Sequence, residues 1–245
     1  MLWLDKYERR ARLAPGLLAL VPIAFTVVGV GLRDLPVVST LIGVLVSVGG
    51  PIVIAAVVRD RGLECQEALF GEWNGPPSTH LLRVREAVST DPDRDRRRQL
   101  LSEVTGIALP DLRDEQKSPA DADQRYAAAV QELRTRTRDS GDFPLVFAEN
   151  MNFGFLRNAR GVRSLGLAIA VLCAAGSVAA AWYALAQNDA PFSAGDTLVS
   201  GSLALAWAIG WFRWPTKTRV RSAGERYARE LFATLPVLRT PNSSS

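Results

Sequence analysis

The chain has 245 residues, 48% of them hydrophobic, and 29 basic against 25 acidic side chains give a net charge of +4. One histidine and two cysteines leave no Cys/His zinc site within one chain, and no cofactor site is expected. The total charge says little, but its distribution decides the architecture.

The segment up to Leu13 carries Lys6, Arg9, Arg10 and Arg12 against Asp5 and Glu8. Residues 13–32 then contain no charge. An apolar run of about 18 residues or more reads as a membrane-spanning helix. This one runs from Pro15, suited to a first turn, to Leu32, with Pro22 as a kink. It is too long for a cleaved signal, and a second span begins at once. That span covers Pro36–Val58, with a bend at Gly49-Gly50-Pro51. Thr40, Gly43, Ser47 and Gly50 are spaced three, four and three apart, which stacks them on one stripe. Small residues let helices approach closely, so the stripe is either a helix interface or a pore wall.

Residues 59–163 hold 17 basic and 18 acidic side chains and read as a helical, densely charged domain. Within it, 70–83 concentrates Trp73, a Gly75-Pro76-Pro77 turn, Ser78, Thr79, His80 and Arg83. A loop entering a helix offers free backbone N–H groups to an anion; Trp73 could stack a base and Arg83 could fork onto a phosphate. The alternative is a tight turn capped by Ser78 or Thr79, with Trp73 packed inside. A short helix is expected next, with Leu81, Val84 and Val88 on one face. A second follows Asp91-Pro92, showing Leu100, Leu101 and Val104 and ending near Gly106. Arg94, Arg96, Arg97 and Arg98 alternate with Asp91, Asp93 and Asp95, which reads as a solvated, self-paired face. Residues 110–118 read as an acidic loop. A third helix opens at Ser118-Pro119-Ala120-Asp121 and buries Ala122, Tyr126, Val130 and Leu133.

After a break at Asp142-Phe143-Pro144 comes Phe147–Asn158, with Glu149, Asn150 and Asn152 among phenylalanines. These three are candidates for coupling the domain to the next span, against the alternative of an interfacial elbow. That span, Ser164–Ala186, places Trp182 and Tyr183 at the outer interface. The fourth, Thr197–Phe212, has 16 uncharged residues, roughly 24 Å of helix, with Trp211, Arg213, Trp214 and Lys217 anchoring its inner end. The tail carries seven basic residues from Arg213 on. It reads as a basic amphipathic helix with Val220, Tyr227 and Leu231 on one side, docked on the domain or lying at the membrane surface.

The link Gln187–Asp196 has no Lys or Arg, so it faces outward. Both termini and the central domain face the cytoplasm. The expectation is an all-α polytopic membrane protein, four spans in two hairpins. Its parts are 1–58, the first hairpin; 59–163, the inserted cytoplasmic domain; 164–214, the second hairpin; and 215–245, the basic tail. No span carries an ionisable side chain, which argues against proton-coupled transport and voltage sensing. No constellation of nucleophile and base appears, so an enzyme is not expected.

The strings Trp73-Asn74-Gly75-Pro76-Pro77-Ser78-Thr79 and Phe147-Ala148-Glu149-Asn150-Met151-Asn152-Phe153-Gly154-Phe155 resemble a bacterial family of short four-span proteins with a helical cytoplasmic insert. There the first motif more often reads Trp-Gly-Gly-Pro-Pro-Thr-Thr, so Asn74 and Ser78 depart from it. The layout is similar to membrane effectors of antiphage systems such as the Hailong channel subunit. That resemblance implies a homo-oligomeric pore or membrane effector, controlled by a nucleotide or oligonucleotide ligand on the cytoplasmic domain. Trp73, Thr79, His80 and Arg83 are the candidate ligand contacts; Thr40, Gly43, Ser47 and Gly50 the candidate pore or helix interface. The alternative is a non-conducting scaffold that recruits a cytoplasmic protein.

Overall fold

A computed structural model describes residues 5–31, 36–37, 40, 43–44, 49–86, 93–187 and 189–239. All regular structure among them is helical, with no strand. A π-helical segment, Glu8–Leu13, leads into α1, Ala14–Gly29. Then come α2 (Gly50–Glu72), α3 (Pro77–His80), α4 (Arg94–Thr105), α5 (Leu112–Lys117) and α6 (Pro119–Arg136). The remainder is α7 (Pro144–Gly161), α8 (Arg163–Ala186), α9 (Ala194–Arg213), α10 (Lys217–Ala233) and α11 (Leu235–Arg239).

The chain forms two compact units. One comprises Met1–Glu67 with Gly154–Val220, the other Ala68–Phe153 with Arg221–Ser245. The helix expected to end at Val58 continues without interruption to Glu72. Arg59, Asp60 and Arg61 form ordinary helical residues, so a change of composition is not a change of conformation there.

In the first unit α1, α8 and α9 pack together along small residues. Ala170, Ser177 and Ala181 of α8 meet Ser200, Gly201, Ala204 and Ala208 of α9, and all are buried. The Ser177 and Ser200 hydroxyls lie 3.2 Å apart. A Cβ on Gly201 would sit 3.0 Å from the Ser177 Cβ, so any larger residue makes the two helices give way by at least a few tenths of an ångström. The large apolar side chains point the other way: Leu172 is 71% exposed, Trp182 77% and Leu185 73%. Small residues inside and large apolar residues outside is the reverse of a water-soluble core, and it suits helices whose solvent is hydrocarbon. Among the described residues, Glu8–Gly29 and Arg163–Ala186 are long and apolar enough to cross a membrane. α9 carries Asp196, Ser200, Gly201 and Ser202, which dilute its apolar run, and much of 35–58 lies outside the described residues.

A layer of Ala19, Val58, Ala159, Val162 and Trp211 closes one end of this unit. Nearby, Trp207 Nε1 donates to the Leu18 carbonyl at 2.9 Å. Asn158 Nδ2 donates to the Ala11 carbonyl at 2.5 Å, which satisfies a group inside the π-helical segment.

In the second unit the face predicted for 119–136 is buried as expected: Ala122, Tyr126, Val130 and Leu133, joined by Ala129. Leu100, Leu101 and Val104 of α4 are buried, and Gly106 ends that helix in the left-handed region at φ 72°. Tyr227 and Leu231 of α10 are buried too, and Val220, the last residue of the first unit, is buried there. The Tyr227 ring stacks on Phe153 at 6.4 Å, so this part of the tail docks on protein rather than lying on a membrane surface.

Three expectations need correction. The helix after Pro76-Pro77 stops at His80, because the next free amides, Val84 and Arg85, bond to the Glu115 carboxylate instead of continuing the ladder. Residues 112–117 are helical rather than a loop, capped by Asp111, whose carboxylate accepts from the Asp114 amide at 2.8 Å. Arg97 and Arg98 also reach inward, beyond the solvated face expected of them: Arg97 donates to the Leu81 carbonyl and Arg98 to those of Leu82 and Pro110, while Arg94 pairs with Asp95 at 3.6 Å. Asp91, Pro92 and Val88 fall outside the described residues.

Candidate functional site

The site grows from the turn after α2. Asn74 has φ 58° and Gly75 φ 126°, so the chain reverses through two left-handed positions. A Cβ on Gly75 would lie 2.8 Å from Arg83 Nη2, so glycine lets the guanidinium reach the Asn74 carbonyl, at 2.5 Å.

Arg83 is 2% exposed. Its Nε and Nη2 fork onto Asp123 of α6 at 3.0 and 2.7 Å, and Nη1 pairs with Glu86. Arg85 Nη2 adds a second guanidinium to Asp123, 2.8 Å from each carboxylate oxygen. Partial burial pushes the Asp123 carboxyl up, but the bonds from Arg83 and Arg85 outweigh it and hold the group below the ordinary aspartate value. The same balance, with His80 and Arg83 as donors, holds Glu86 low. Burial works against the Arg83 charge, yet the bonds to Asp123 and Glu86 leave it more basic than an ordinary arginine.

Glu115 of α5 sits behind this group, fully buried. It accepts from the Val84 amide at 2.9 Å, the Arg85 amide at 2.7 Å and the Tyr126 hydroxyl. Arg85 and Arg98 each approach it to 3.8 Å. Burial, then the bond to Glu115, pushes the Tyr126 phenol up to about 12.

The four predicted ligand residues therefore share one segment but differ in access. Thr79 and Arg83 are buried, and Arg83 has its donors committed to protein acceptors. Trp73 packs against Phe70 at 6.2 Å, and the Arg221 guanidinium covers its ring at 5.9 Å. His80 Nδ1 lies 2.6 Å from Glu86 Oε2, while its Nε2 is buried with no hydrogen-bond partner. An anion reaches Arg83 only by displacing Asp123 or Glu86. The residues that sequence alone missed are Arg85, Glu86, Glu115, Asp123 and Tyr126.

Of the predicted pore stripe, Thr40 Oγ1 donates back to the Pro36 carbonyl at 2.8 Å. Gly43 has nothing within 4 Å of a built Cβ. Gly50 opens α2, and Ser47 lies outside the described residues. Among the predicted coupling residues, Glu149 accepts from Asn152 and from Arg226 of α10, both at 3.4 Å, and Asn150 is half-buried.

In the first unit a cleft of about 630 Å³ is lined by Phe25, Val28, Phe192, Asp196 and Ser200 among others. Its walls are mixed, with the Asp196 carboxylate as the ionisable group among the described residues. No group of three or more His, Cys, Asp or Glu side chains among the described residues could hold a metal.

No protein-family model, curated protein or solved structure matches this chain.

Proposed function

We propose that this is a four-span protein of the bacterial inner membrane. It assembles with copies of itself into a pore or membrane-disrupting effector, and its cytoplasmic unit responds to an anionic, nucleotide-like ligand. The observation that carries the membrane part is the inverted packing of α8 and α9, small residues inward and large apolar residues outward. Exposed Val178 and Trp182 on α8, and Val199 and Leu205 on α9, are faces for lipid or for a neighbouring copy.

The ligand part rests on the knot around Arg83. Two arginines, the buried Arg83 and the partly exposed Arg85, share the partly exposed Asp123. A phosphate offers the same fork as a carboxylate and more charge. It competes with Asp123 and Glu86 for the guanidinium groups. Success detaches the 81–86 segment from α6 and shifts a two-state equilibrium. Glu149–Asn152 lie on α7, which the chain joins through Val162 to α8, and that continuity is the proposed route of coupling.

A specific observation favours a second class. Arg83 is already saturated by Asp123, Glu86 and Asn74, which suits a rigid domain that recruits a partner protein without sensing anything.

One experiment separates the two. Full-length protein in liposomes is assayed for current and dye release with ATP, cyclic dinucleotides and inorganic pyrophosphate. The pore reading predicts release above protein-free controls that changes with at least one of these anions. Release that never differs from controls, from a monomer that co-purifies one cytoplasmic protein, leaves the scaffold.

A further inference from the structure

Three arginines stand at one depth of the first unit. Val58, Val162 and Trp211 are buried in a common layer. Arg59 follows Val58, Arg163 follows Val162, and Arg213 comes two residues after Trp211. Each has an exposed apolar neighbour: Val57, Leu165 and Phe212, the last 64% exposed. Each cation thus has an exposed apolar side chain within two positions of it at this level.

The three arginines do different work. Arg163 is bound into the protein: Nε donates to the Trp211 carbonyl at 2.9 Å, Nη2 donates to that of Phe212, and the guanidinium lies 5.5 Å over the Phe212 ring. It caps the end of α9. Arg59 and Arg213 are exposed, and neither side chain has a hydrogen-bond or ion-pair partner among the described residues. Arg219, on the first turn of α10, is likewise exposed and unpaired. Of the nearby acids, Glu64 pairs with Arg61 and Glu8 with Arg12, leaving Asp60 beside Arg59 and Glu67 two turns further along α2 as exposed carboxylates. The rim keeps an excess of positive charge.

We propose that this rim binds the phosphate groups of anionic phospholipids in the inner leaflet, with Arg59 and Arg213 as the phosphate contacts. The inference rests on the membrane placement proposed above and adds a lipid class to it. The argument for a lipid is the pairing of unmatched cations with exposed apolar side chains at one level. A molecule that carries a phosphate on acyl chains meets both at once. A zwitterionic headgroup adds a cation beside its phosphate and meets the arginines poorly.

The test uses full-length protein in an uncharged detergent, with bound lipid counted by native mass spectrometry. Phosphatidylglycerol and phosphatidylcholine of the same chains are the probes. The wild type retains phosphatidylglycerol roughly ten-fold over phosphatidylcholine. R59Q/R213Q loses that preference, R59K/R213K restores most of it, and R61Q, whose arginine already pairs with Glu64, keeps it. Equal retention of the two lipids by the wild type overturns the proposal, as does an unchanged preference in R59Q/R213Q. Alkaline carbonate extraction of the same cells separates this failure from a failure of the membrane placement. Protein that stays in the pellet without lipid preference sinks only the lipid claim; protein that extracts sinks both.

Discussion

Arg83 and Asp123 lie 40 positions apart in the chain and meet through two hydrogen bonds, of 3.0 and 2.7 Å. The fork joins the segment after α3 to the first turns of α6. A buried pair of this kind contributes little compared with a well-packed apolar pair, but breaking it is costly, because one charge stays behind without its partner. D123A should lower the stability of the protein by about 3 kcal/mol, read as a fall in thermal midpoint in detergent. E86A, which removes the more exposed partner, should cost less. Equal and negligible effects from both would mean that the fork does not hold the segment in place.

Glu115 makes a separate prediction. E115A leaves the Val84 and Arg85 amides and the Tyr126 hydroxyl without their acceptor. An unmet buried donor costs about 1–3 kcal/mol. Hydrogen exchange at residues 84–85 should quicken well before the α6 amides exchange. Protection unchanged at those residues would show that another acceptor serves them.

The titrations give opposite limbs. Asp123 and Glu86 are held below their ordinary values of 3.8 and 4.5. Their contribution is present above those values and lost as pH falls through the lowered ones. Tyr126 is raised from 10.0 to about 12. Its contribution is complete below pH 10 and lost as pH rises from 10 toward 12. Thermal midpoints should therefore plateau between about pH 5 and pH 10. Y126F should remove much of the alkaline decline and leave the acid limb intact. An alkaline limb identical in Y126F would assign it elsewhere.

Glycines on α8 and α9 test the packing. Gly201 faces Ser177, and Gly176 has nothing within 4 Å of a built Cβ. G201L should push the helices apart, at a cost of about 1–3 kcal/mol or more. G176L points outward and should be tolerated within about 0.5 kcal/mol. The reverse order would contradict the helix pairing described here.

The sequence made some of this legible and hid the rest for physical reasons. Ala122, Tyr126, Val130 and Leu133 were readable because a helix repeats every 3.6 residues. Gly106 was readable because few other residues end a helix in the left-handed region. The partners of Arg83 were not, since no local pattern ties a residue to an acid 40 positions away. The stripe at Thr40, Gly43, Ser47 and Gly50 stands out in the sequence because small residues are sparse there. On α8 alanines are so common that the buried face of Ala170, Ser177 and Ala181 does not stand out. α2 runs past Val58 because Arg, Asp and Glu are ordinary helical residues, so the onset of charge ends an apolar run without ending the helix.

Site-specific labelling tests the central claim most directly. D189C, in a background with Cys65 and Cys173 changed to serine, is treated in intact cells with a maleimide that cannot cross membranes, and S222C in the same background is treated likewise. The bilayer account predicts that position 189 is labelled at once and position 222 only after the membrane is opened. Labelling of both without opening, or of position 222 alone, would contradict it.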